Sequence, residues 1–98
     1  MIKLNSITQV VDVFKILNIT IKPDTVIYDI QRMHLKHMNK KDFSPIVYNV
    51  DCPAYAGKIQ IIVKFKNNDF YDTITSINTD NLNNIDSDLL QSLHNLSK

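Results

Sequence analysis

Hydrophobic and polar positions repeat with two different periods along this chain, and the change of period divides it. Ile7, Val10, Val11, Phe14 and Leu17 recur at helical spacing, while Thr8, Asp12 and Lys15 take the opposite face. Ser6-Ile7-Thr8-Gln9 reads as a capping box, with the Ser hydroxyl accepting from the N3 backbone N–H, that of Gln9, and the Gln9 side chain reaching back. The pattern predicts a helix over about residues 6–18. Val10, Val11 and Val13 keep its intrinsic propensity modest, so packing must hold it. Pro23-Asp24 then punctuates the chain, and Lys22, which precedes the proline, is turned away from helix. From Thr25 to Asn39 a second stripe runs through Val26, Ile27, Ile30, Met33 and Met38. Arg32, Lys36 and Lys40 stand at i, i+4 and i+8 on the other side, with Asp29 beside them. Tyr28 and Leu35 fall off the stripe.

After Asp42 the period drops to two. Ile46 to Val50 reads as a strand, and Asp51 to Gly57 as a loop in which Gly57 is free to take a positive φ. In Lys58 to Lys66 the residues Ile59, Ile61, Val63 and Phe65 alternate with Gln60, Lys64 and Lys66, with Ile62 the exception. Lys66-Asn67-Asn68-Asp69 predicts a four-residue turn, and Phe70 to Ile77 the return strand. Asn78 to Asn84 is a loop. Asp86-Ser87-Asp88 caps a last helix with Ile85, Leu89, Leu93 and Leu96 in its stripe. Residues 1–4 are a candidate edge strand. The expected order is (β)-α-α-β-β-β-α. It implies a single two-layer α+β domain over residues 1–98, with a three-stranded antiparallel sheet covered by helices.

Composition narrows the chemistry. Among the 98 residues there is no Glu, no Trp, one Gly (Gly57), one Cys (Cys52) and one Arg (Arg32); the acidic residues are ten Asp. Without Glu there is no HExxH metalloprotease helix and no EF-hand closed by a bidentate Glu. One Gly leaves no Walker loop, GxGxxG or GxSxG elbow. One Cys leaves no intramolecular disulfide and no CxxC zinc site. Neither a catalytic set, a cofactor site nor a metal site emerges. The first residues do not read as a signal peptide, and no apolar run approaches the roughly 18 residues of a membrane span. A reducing, cytoplasmic setting is expected, the host cytoplasm if the chain is viral. The wealth of Ile, Asn and Lys suggests an AT-rich coding sequence, as in many phages and mobile elements.

A net charge of +1 argues against a generic polyanion binder. Arg32, His34, Lys36, His37, Lys40 and Lys41 form the one basic cluster, either a solvated face or a phosphate contact. His34 and His37 have a chelating spacing but no strong third ligand, which favours packing beside Met33 and Met38. Cys52 reads as a plain thiol. Tyr55, in a Pro/Ala/Gly loop, is expected to be the most exposed of the aromatics near the sheet, and so a good interface anchor.

The α-β-β-β-α order from residue 24 is similar to that of a double-stranded-RNA-binding domain. That family places Lys at the start of its last helix, where this chain has Asp86 and Asp88. With the first strand and helix added, the order also resembles the RelE/ParE toxin superfamily. That likeness implies a ribonuclease or RNA-binding role, for which the sheet offers Lys58, Lys64, Lys66 and Tyr71, with the single Arg outside it; the candidate nucleic-acid contacts are Arg32, Lys36, Lys40, Lys64 and Lys66. No specific motif carries either likeness. The reading that follows from balanced charge, small size and the missing catalytic sets is a protein-binding module of inhibitor, immunity or anti-defence type. It would occupy a partner's surface through the loops that hold Asp51 and Tyr55 and Asn67, Asn68 and Asp69. The alternatives are the RNA-directed protein and a structural homo-oligomer or homodimer sealed by Leu89 and Leu93.

Overall fold

The computed structural model describes residues 1–98. Its elements are β1 (Ile2–Lys3), α1 (Val10–Ile16), α2 (Pro23–Asn39), β2 (Ile46–Cys52), β3 (Gly57–Phe65), β4 (Thr73–Asn78) and α3 (Ser87–His94), with short 3-10 turns before α1, after β2 and after α3. The α+β class with an antiparallel sheet and three helices is as expected, but the exact order differs slightly: 3-10 turns interleave with the elements, and the first strand is part of a sheet of four strands rather than three. β1 pairs antiparallel with β4 through Ile2–Ile77 and Lys3–Ser76, and the Leu4 N–H donates to the Thr75 carbonyl at 2.9 Å. The strand order is β1-β4-β3-β2, all antiparallel, so β2 lies at one edge.

Local chemistry sets the helix bounds. Ser6 caps, but the reciprocal box is shifted: its hydroxyl accepts from Thr8 N–H rather than from Gln9 N–H, and the Gln9 side chain accepts from Asn5 N–H at 2.8 Å, one residue before the cap. What this box opens is a 3-10 turn over Ile7–Gln9, and the α-helix begins only at Val10. Proline at the first turn starts α2, since its missing N–H would find no partner there in any case. Both helices end in the same way. Beyond α1, Asn18 is left-handed and the Ile19 N–H reaches back to Phe14 O. Beyond α2, Lys41 is left-handed and the Asp42 N–H reaches back to His37 O.

One face of the sheet carries the core. Ile2, Ile46, Val50, Cys52, Ile59, Ile61, Val63 and Ile77 meet Val10, Val13, Phe14, Leu17, Val26, Ile30 and Leu93 from the helices and their ends, all buried. The stripe of α3 is spent on this same core: Leu93 is fully buried, and Leu89, Ile85 and Leu96 pack against the cluster. Tyr28 and Leu35, off the α2 stripe, are exposed.

Three further expectations are corrected. The turn after β3 is longer than four residues, because β4 starts at Thr73 and not at Phe70. Phe70 instead plugs the core below that loop, its ring 5.6 Å from that of buried His34. Gly57 does not have a positive φ; Ala56 does. Glycine is needed at 57 because a Cβ there would run into the Asn81 carbonyl. Of the aromatics near the sheet, the exposed one is Tyr71, at 59%, whereas Tyr55 is half-buried and packs on the core.

Candidate functional site

The edge strand β2 offers a row of main-chain groups with no partner. Antiparallel ladders alternate, each residue turning its N–H and C=O to one neighbour or to the other. The bond from Leu4 N–H to Thr75 O turns Thr75 toward β1. Following the register across β4 and β3 then turns Ile46, Tyr48, Val50 and Cys52 toward β3. Val47, Asn49 and Asp51 therefore point their N–H and C=O away from the sheet. No backbone hydrogen bond from a loop or turn reaches them. Their side chains are exposed on the uncovered sheet face, Val47 by 48%.

Beside this edge lies a cavity of about 280 Å³ between α2 and β2, lined by Asp29, Arg32, Met33 and Lys36 of α2 and by Tyr48 of β2. The 3.6-residue period sets Asp29, Arg32, Met33 and Lys36 on one flank of the helix. Tyr48 alternates with Ile46 and Val50, so its ring turns under α2, and its hydroxyl donates to Asp29 Oδ2 at 2.9 Å. Burial, helped by the Asp29 carboxylate, holds the Tyr48 phenol above its ordinary pKa. Asp29 is thus engaged. Arg32 and Lys36 are not, since the chain's ion pairs are His37–Asp42, Lys58–Asp51 and Lys66–Asp72. The Arg32 guanidinium sits 5.9 Å from the centre of the Tyr28 ring, which steadies it on the helix surface. The lining carries two cations against one carboxylate.

The residues singled out from the sequence are only partly brought together. Arg32 and Lys36 share the cavity, and Lys40 follows one turn further along the exposed side of α2. Lys64 lies on the uncovered face of the sheet, opposite the helices, and Lys66 pairs with Asp72 at 3.7 Å in the loop after β3. Asp51 ends the unpaired row of β2 and faces Lys58 at 4.0 Å. The Tyr55 carbonyl accepts from Asn83 N–H, which ties the turn after β2 to the segment before α3. Asn67, Asn68 and Asp69 are exposed at the other end of the sheet, roughly 26 Å away along β3 at 3.3 Å per residue. There Asn67 Oδ1 accepts from Asp69 N–H and Asn67 Nδ2 donates to Asp72.

The sequence reading missed Asp29 and Tyr48 as a pair. One signal was present: an inward-facing tyrosine on a strand needs a partner for its hydroxyl. The histidines do not form a common site. His34 is buried with its ring edge-on to Phe65 at 4.9 Å, and His37 leans on the same Phe65 at 5.5 Å. Cys52 is the last residue of β2 rather than part of a loop. It is fully buried, with its thiol near Leu17 O, and burial pushes its pKa up. Compared with family models, with curated proteins and with solved structures, the chain finds no match. No helix is long and apolar enough to cross a membrane.

Proposed function

We propose that the protein is a binding module that takes up an extended segment of a protein partner by strand addition at β2, and so acts by occupying that partner's surface, as an inhibitor or immunity-type protein does. The observation that carries this reading is the outward main chain of Val47, Asn49 and Asp51. Exposed edges are ordinarily guarded by Lys, Pro, a bulge or a covering segment. Within Ile46–Cys52 there is no Lys and no Pro, and the pairing with β3 runs without a bulge. An added strand would satisfy the three outward N–H and C=O groups and lay alternate side chains toward α2. This interface replaces the two loops as the centre of contact; Asp51 is common to both readings.

The test is a selection from a displayed library of random heptapeptides, followed by titration of the enriched peptides. Asn49→Pro removes an outward donor without breaking the ladder to β3, so the fold is retained. Val47→Lys guards the edge by charge and leaves the core untouched. Both variants are expected to keep the melting temperature within a few degrees and to lose peptide binding by about ten-fold or more. Enriched peptides that bind both variants as tightly as the parent chain would overturn the proposal.

A further inference from the structure

We infer that the cavity between α2 and β2 reads a carboxylate, so that the segment added to β2 carries an acidic side chain, glutamate in particular, seated between Arg32 and Lys36. This deepens the reading of β2 as a docking edge and rests on it. Three observations lead there. The one sheet residue that lines the cavity is Tyr48 of the edge strand, which faces α2. An added strand continues the pleat, so every second side chain of the guest points toward that same side. Arg32 and Lys36 lack an anion within ion-pairing distance, while Asp29 is held by Tyr48, so the lining favours a negative guest. Met33 and the Tyr48 ring give an apolar floor suited to the methylenes of a glutamate.

The observations favour a peptide over two other occupants. A nucleic acid would satisfy Arg32 and Lys36 but has no alternating N–H and C=O to pair with Val47, Asn49 and Asp51. A second copy of this chain, paired β2 to β2, would turn Ile46, Tyr48 and Val50 toward the cavity. None of these is acidic, and Asp51 would point to the other face. The chain has no glutamate of its own to offer.

The experiment uses the full chain and the peptides enriched from the heptapeptide library, each synthesised with its acidic residue kept or changed to Gln. Titrations compare the parent with the double variant Arg32→Gln/Lys36→Gln, both positions being exposed. The expected result is an acidic residue shared by the enriched peptides and about ten-fold or more weaker binding of the Gln forms to the parent. In the double variant acidic and Gln peptides are expected to bind alike, and both to remain sensitive to Asn49→Pro. Enriched peptides without an acidic preference, or with one that survives the double variant, overturn the carboxylate assignment and leave the docking edge standing. Binding that ignores Asn49→Pro, or no enriched peptide at all, overturns the edge as well. Two results overturn the peptide as occupant. One is salt-sensitive retention of a uridine oligonucleotide that the double variant loses, with no peptide enriched. The other is a doubled mass in light scattering that Asn49→Pro abolishes.

Discussion

Tyr48 and Cys52 stand four residues apart on the same strand, and both are neutral groups that the fold shields from ionisation. Burial and then the neighbouring Asp29 raise the tyrosine; burial raises the cysteine. The sign of the consequence follows from linkage. A group whose folded pKa is raised contributes stability that is fully present below its unfolded value and is lost as pH rises through the folded one. Stability toward denaturant is therefore expected to hold through neutral pH and to fall from about pH 9 upward, across the thiol and phenol range. Tyr48→Phe should flatten the upper part of that fall, which urea midpoints at neutral pH and at about pH 10 would measure. An alkaline fall unchanged in Tyr48→Phe would show that the buried phenol plays no part. Asp42 has the opposite sign. Its pKa is lowered, chiefly by the Ser44 backbone N–H, but it is exposed and its own contribution is small.

At the level of elements, a chain whose one glycine lies elsewhere ends α1 and α2 with side chains that resist the left-handed conformation. Asn18 and Lys41 do so, and the lysine lacks the short amide that eases asparagine into that region. Lys41→Gly is expected to stabilise the protein by about 1 kcal/mol, a shift of several degrees in melting temperature. An unchanged or lowered melting temperature would contradict the account of this helix end. The single glycine was legible as an oddity of composition, whereas its purpose was not. Gly57 is fixed by the approach of Asn81, twenty-four residues later in the chain, which no local pattern reveals. The helices α2 and α3 and the strand pair β2–β3 could be read because their periods are long and regular. β1 was legible only as a candidate edge strand at residues 1–4, because two residues carry no period, and its pairing with β4 could not be read. The start of β4 was misplaced because Phe70 mimics a strand residue. In fact it is a loop residue drawn into the core beside His34, while β4 itself turns the polar Thr75 inward.

For the whole molecule, the helices lie on one side of the sheet, and β2, paired with β3 on its inner side, leaves its outer edge unpaired at the far end of the sheet from β1. Arg32 and Lys36 were legible as candidates, because a helix repeat places them on one exposed flank. What the sequence could not show is their setting: Asp29 and Tyr48 meet only through the fold, and Lys64 lands on the opposite face. The loop contacts Asn67 to Asp69 are likewise set apart from Asp51 by the length of β3. The claim that joins these facts is that β2 is an open edge which a partner closes. Amide hydrogen exchange followed residue by residue tests it most directly. In the free protein Tyr48 and Val50 should exchange slowly and Val47, Asn49 and Asp51 quickly, and an enriched acidic peptide should slow the latter three. Slow exchange of Val47, Asn49 and Asp51 in the free protein, or no change when the peptide is bound, would contradict the account.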